Sequence, residues 1–160
     1  MRVRHTLIAT FIGLVVAAGL SQSAVAVNWG TLVASYNNQT RATALGNFYN
    51  EGYQYATNYY NLNDPSNDGN NVYGHTDFYW YGQDSSCGSD TLGHPYTCWF
   101  GGSRISTGEW DYWNTPKVFY LRKNLQGTAT MARGKTTVCV QLGWPVPDHC
   151  AASTYPTFSY

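Results

Sequence analysis

Apolar and polar residues alternate with a period of two in short runs along most of the chain after residue 26. In Thr128 to Leu142, for instance, Val138, Val140 and Leu142 share one face, while Thr137, Cys139 and Gln141 share the other. That is the signature of a half-buried β-strand. Similar runs cover Thr31 to Tyr36, Thr40 to Tyr49, Tyr53 to Leu62, Asn71 to Tyr81, Tyr96 to Phe100 and Lys117 to Leu121. Gly134 divides the longest run, so a hairpin with Arg133 at its turn is expected there. A helix within 40–50 is the competing reading of that stretch, since Ala42, Ala44 and Leu45 are acceptable helix formers. About eight short strands predict a single-domain, antiparallel, all-β sandwich or barrel. The segment Pro145-Val146-Pro147 cannot be a central strand, because proline donates no backbone hydrogen bond.

The N-terminal segment follows a different pattern. Arg2, Arg4 and His5 precede Leu7 to Leu20, fourteen residues with no charge, and Ala24-Val25-Ala26 follows. A basic start, an apolar stretch and an A-x-A site form a secretory signal peptide over residues 1–26. As a helix the apolar stretch reaches only ~21 Å, short of the ~30 Å hydrocarbon core. A secreted domain over 27–160 with no membrane anchor is therefore expected.

Composition agrees with that destination. Charged residues make up 11% of the chain and aromatic residues 16%, with fourteen Tyr and six Trp. Nine basic residues balance nine acidic ones, which excludes a strongly basic nucleic-acid binder. The charges are segregated. Residues 42–103 hold six acids and no Lys or Arg, whereas 112–147 hold five basic residues and no acid. Pairing of the two regions in one sheet is the simplest expectation; an acidic cation site facing a basic patch is the alternative.

Four cysteines, Cys87, Cys98, Cys139 and Cys150, lie in a chain bound for an oxidising compartment, so two disulfides are expected. Three pairings exist. Cys87–Cys98 and Cys139–Cys150 each span eleven positions and close the shortest loops, at the least entropic cost. A zinc site using His94 and His149 competes, but no C-x-x-C spacing supports it.

Candidate chemistry is sparse. Asp64, Asp68 and Asp77 are candidate Ca²⁺ ligands. Counting Asp64 as the first position of an EF-hand loop puts His75 at the twelfth, where glutamate is needed. A plain turn at Asp68-Gly69 between two strands explains the same residues. No other cofactor is implied. For catalysis, Glu109 can be paired with Asp111 or Glu51, but neither pair sits in a recognisable motif, and no G-x-S-x-G elbow is present.

Aromatic side chains carry the stronger signal. Tyr53 and Tyr55 would share a strand face, Phe78 and Trp80 another, and Trp110, Tyr112 and Trp113 cluster. An antiparallel sheet buries one face, so some of these rings should be exposed. Tyr53, Tyr55, Trp80, Trp110, Tyr112 and Trp113 are thus the expected contacts for an extracellular polysaccharide or cell-wall ligand. A secreted protein is the alternative partner, since Tyr and Trp dominate protein hot spots too. For that effector reading, an inhibitor or antibacterial factor, the Cys87–Cys98 loop is the candidate contact. A Tyr-rich core is the bland reading of the same composition.

Gly46-Asn47-Phe48-Tyr49, the stretch from Asp64 to Asn70 and the stretch from Val138 to Cys150, together with the signal peptide, resemble small secreted proteins of actinobacteria. The resemblance implies an extracellular habitat and no particular activity. Secreted β-sheet α-amylase inhibitors of such bacteria share the two disulfides, but their Trp-Arg-Tyr turn is absent here.

Overall fold

Two tight turns start the first sheet. β1 (Val27–Tyr36) and β2 (Gln39–Glu51) are joined by Asn37 and Asn38, both at positive φ. Two consecutive left-handed residues match the right-handed twist of a hairpin, and asparagine tolerates that conformation best after glycine. β2 and β3 (Tyr55–Asn63) are joined through Gly52 and Tyr53, again both at positive φ, with the Asn50 side chain accepting from the Tyr53 amide at 2.9 Å. Tyr53 is therefore a turn residue and does not share a strand face with Tyr55.

The computed structural model describes residues 26–160; the signal-peptide reading of 1–26 lies outside them, apart from Ala26. The remaining strands are β4 (Val72–Gln83), β5 (Thr97–Ser106), β6 (Lys117–Asn124), β7 (Ala129–Val140), β8 (His149–Cys150) and β9 (Thr157–Ser159). They form two sheets, ordered β1-β2-β3-β6 and β5-β4-β7-β8, with β9 also pairing β7. The pairings are antiparallel, and the sheets stack as a sandwich. The expected fold class holds. The disulfides are Cys87–Cys98 and Cys139–Cys150, and the second ties the tail to β7 through the Cys139–Cys150 register pair.

Two local expectations are corrected. The 40–50 stretch is strand, because Ala42, Ala44 and Phe48 point into the core while Leu45 and Tyr49 point out. β7 is one continuous strand with no hairpin at Arg133. Gly134 sits in its middle for a packing reason: a Cβ there would come within 3.1 Å of the Phe48 ring. The glycine marks a close approach, not a turn.

Phe48, Phe78 and Phe158 meet at the core, with ring centres 5.1–6.0 Å apart. Burying each such ring contributes roughly 1.5–3 kcal/mol. Between the sheets lies a closed polar network. Asn58 accepts from the Trp29 indole at 2.8 Å and donates to Thr76 and Thr136 at 2.8 and 2.7 Å. Tyr60 donates to the His75 carbonyl at 2.5 Å and contacts the Thr76 hydroxyl at 3.0 Å. Burial pushes the Tyr60 phenol far above its ordinary range, so it stays a donor. A fully satisfied buried network fixes how the two sheets face each other.

Candidate functional site

The six expected contact residues do not form one surface. Trp80 lies on the inner face of β4, only 4% exposed, with its ring near Phe100. It is a core residue, and its candidacy as a ligand contact is corrected. Tyr53 is exposed in the β2–β3 turn. Trp110, Tyr112 and Trp113 lie between β5 and β6, where Trp113 bridges to Asp64. Those two places are at opposite ends of β3, about 30 Å apart at ~3.3 Å per residue. Trp110 is largely committed. Its backbone pairs with Val72, its indole donates to the Thr115 carbonyl at 2.7 Å, and its ring meets Tyr112 and the Lys117 ammonium. Tyr112 and Trp113 are each 60% exposed.

The carboxylates do not converge either. Arg41 and Ser66 hold the Asp68 carboxylate. Burial pushes Asp68 up, but the hydrogen bonds from Asn70 and Ser66 and the Arg41 charge outweigh it and hold the group low. Asp64 accepts from the Ser66 amide at 2.9 Å, and burial raises its pKa. Asp77 faces the other side of the molecule from β4, bound through both oxygens by Arg104 at 2.7 and 3.0 Å. No three His, Cys, Asp or Glu residues group for a metal among the described residues, so Asp64, Asp68 and Asp77 do not form one Ca²⁺ site. The Asp68-Gly69 stretch is not a hairpin turn; it carries the chain from one sheet to the other.

Glu109 stands beside Asp148 and Tyr73 in a depression of about 280 Å³ rather than beside Glu51. Its oxygens accept from the Asn71 and Gln141 amides at 2.7 and 3.0 Å. Tyr73 donates to Asp148 at 2.7 Å, and burial with that bond pushes its phenol up to about 12. Glu51 is held by the Thr57 hydroxyl and by both arms of Arg122, all within 2.7 Å. Of the charge segregation seen in the sequence, only the Glu51–Arg122 pair joins the acidic to the basic region among the described ion pairs.

What the fold does assemble is the outer face of the four-stranded sheet. The register aligns Asn47, Tyr59 and Tyr120 across β2, β3 and β6. Tyr49 lies two positions along β2, and Tyr55, which the sequence reading named, lies at the start of β3 on the same face. The Tyr59 and Tyr120 rings are 5.5 Å apart and tilted by 58°, and Tyr120 is 53% exposed. Asn47, Tyr49, Tyr59 and Tyr120 line a shallow depression of about 290 Å³, edged by Ala26, the last residue of the expected signal peptide. Leu45 and Val118 extend the face as exposed apolar neighbours. The nearest charges, Glu51 and Arg122, neutralise each other. Burial and the Glu51 charge raise the Tyr49 pKa, so its hydroxyl remains protonated. The surface thus offers flat rings, phenolic donors and one amide, without net charge.

Tyr49, Tyr59 and Tyr120 were missed in the sequence. Each stands in an aromatic pair, Phe48-Tyr49, Tyr59-Tyr60 and Phe119-Tyr120, and one member of each pair must face inward. Those three pairs on three predicted strands were the available signal. No protein-family model, curated protein or solved structure matches the chain. Its geometry carries the functional argument.

Proposed function

We propose that this is a secreted, non-catalytic binding protein for an extracellular glycan, docked on the tyrosine face of the four-stranded sheet. The observation that carries the reading is the row Asn47–Tyr59–Tyr120, an uncharged strip in which an exposed ring, Tyr120, adjoins the half-buried Tyr59, bordered by the half-buried Tyr49. Sugar rings present a C–H face that packs on such rings, while their hydroxyls bond phenols and amides. Tyrosine gives this contact at low entropic cost, having few rotatable bonds to immobilise. Two disulfides suit an oxidising compartment, and no helix among the described residues is long and apolar enough to cross a membrane. The test is retention of the purified protein on insoluble chitin, cellulose and peptidoglycan, with and without calcium. Saturable retention on at least one is expected, reduced about tenfold by Tyr120→Ala, a loss of ~1.4 kcal/mol of binding free energy. Retention by none of them, or equal retention of the variant, would remove the glycan.

A second reading, a protein-directed effector, has its own observation. The Cys87–Cys98 loop is braced by the Ser89–Pro95 bridge and by Asp90, whose carboxylate accepts from the Leu92 and His94 amides at 2.9 Å. Leu92 stands 79% exposed at its tip. A rigid loop presenting one apolar side chain suits insertion into a partner pocket. Inhibition of a secreted hydrolase that is lost on Leu92→Asp would favour this reading over the first.

A further inference from the structure

The described chain contains four arginines, and three of them are closed by carboxylates. Arg41 binds Asp68, Arg104 binds Asp77 through two nitrogens, and Arg122 binds Glu51 through two nitrogens. Arg133 differs. It projects from β7 onto the outer face of the five-stranded sheet, opposite Tyr79 of β4. Its guanidinium carbon lies 4.3 Å from the Trp99 ring centre, 5.1 Å from that of Tyr79 and 5.6 Å from that of Tyr155. Its Nε is sealed from solvent with no hydrogen-bond partner, and no ion pair is formed by Arg133 among the described residues. Lys135, two positions along the same strand face, is opposite Asp77, whose carboxylate Arg104 already holds.

We infer that Arg133 is the receptor for a carboxylate on an acidic sugar, bound on the outer face of the five-stranded sheet. A guanidinium keeps its charge at any physiological pH. Rings against it hold its plane and lower the entropy lost when its N–H groups engage a ligand. With Nε sealed, the two Nη atoms at the end of the held guanidinium form the fork that matches the two oxygens of a carboxylate. Lys135 adds a second positive charge to the same anion. The surroundings suit a sugar ring: Tyr155 is exposed, Trp99 is half-buried with Tyr81 against it, and Gly102 puts no side chain beside Tyr79. A uronic acid combines the two features, a C–H face for a ring and a planar carboxylate for the fork.

This inference does not depend on the tyrosine face of the other sheet, and one experiment separates them. The full secreted chain is titrated with oligogalacturonate, with the uncharged methyl ester of the same oligomer, with inorganic phosphate and with tetraglutamate. Tryptophan fluorescence and the ¹⁵N resonance of the Arg133 Nε–H are the readouts. Oligogalacturonate should bind saturably and shift that resonance, and the methyl ester should bind at least tenfold more weakly. Arg133→Lys keeps the charge and loses the fork; it should weaken oligogalacturonate binding at least tenfold at an unchanged melting temperature. Lys135→Ala should weaken it less and flatten its salt dependence. Tyr120→Ala should leave oligogalacturonate binding intact, and Arg133→Lys should leave retention on chitin or cellulose intact. Equal binding of ester and acid, or full binding by Arg133→Lys, would overturn the receptor. Phosphate or tetraglutamate binding as tightly as the uronate would overturn the sugar.

Discussion

The two outer faces of the sandwich use arginine and aromatic rings in different ways. On the four-stranded sheet, Arg122 lies over Tyr120 but is closed by Glu51, so the surface left for a ligand is neutral tyrosine and asparagine. On the five-stranded sheet, Arg133 lies among three rings and forms no ion pair among the described residues. The rings alone do not tell the faces apart. What separates them is whether the charge beside the rings already has its partner. A closed pair orients its neighbours, while an open guanidinium seeks an anion.

The largest predicted effect lies between the faces. Asn58→Leu removes the group that joins Trp29, Thr76 and Thr136 across the sheets; it orphans the Trp29 indole and the Thr136 hydroxyl and leaves Thr76 with Tyr60 alone. Each buried orphan costs about 1–3 kcal/mol. Chemical denaturation should show a loss of ~3 kcal/mol or more, and both faces should lose binding together. Trp80→Ala should cost ~3–5 kcal/mol as a cavity in the core. Its binding at temperatures where it remains folded should equal the wild type, because Trp80 belongs to neither face. Loss of binding by a folded Trp80→Ala protein would return that residue to the surface account.

Next in size is the Cys139–Cys150 bridge, which ties down the segment bearing Tyr155. Replacing both cysteines with alanine should cost ~2–3 kcal/mol by the chain-entropy argument. It should weaken oligogalacturonate binding while retention through the tyrosine face persists, as a side-by-side binding assay would show. Equal weakening at both faces would break the comparison.

The smallest effect is a pH dependence that divides the faces. Burial holds His75 below its ordinary value of 6.5, so the folded state keeps it neutral while the unfolded chain takes up a proton. Its contribution is complete above 6.5 and is lost as pH falls through the lowered folded value. Facing His75 are Arg104 and Lys135, which lower it further, and Asp77, which opposes them. On the other face, the hydrogen bond from Thr57 and then Arg122 hold Glu51 below its ordinary 4.5. That contribution is complete above 4.5 and fades only at lower pH. Between 6.5 and 4.5, therefore, the contribution of His75 on the five-stranded sheet should fall while that of Glu51 on the other face stays complete. His75→Gln should remove most of the slope of stability against pH in that window. An unchanged slope would reassign it.

Much of the architecture could be read from the chain. Alternation at Val138 and Val140 marked a strand, and the equal cysteine spacings marked both bridges. The site was less legible. In Tyr59-Tyr60 the pattern says that one ring faces each way, but only the opposing sheet, through the Gly74 gap that receives the Tyr60 ring, decides which. The row of Tyr59 with Tyr120 needs a cross-strand register that one sequence does not contain. Arg133 was expected at a turn because Gly134 follows it. That glycine serves Phe48 on the other sheet, a long-range contact with no local sequence mark.

The central claim is that the tyrosine face of the four-stranded sheet holds the glycan. The most direct measurement is amide and aromatic chemical-shift mapping of the folded protein during titration with a soluble oligomer of whichever polysaccharide retains it. The account predicts the largest shifts at Asn47, Tyr49, Tyr59 and Tyr120, with Leu92 and Trp113 unmoved. Shifts centred on Tyr112 and Trp113, or on the Leu92 tip, with a silent Tyr59–Tyr120 row would contradict it.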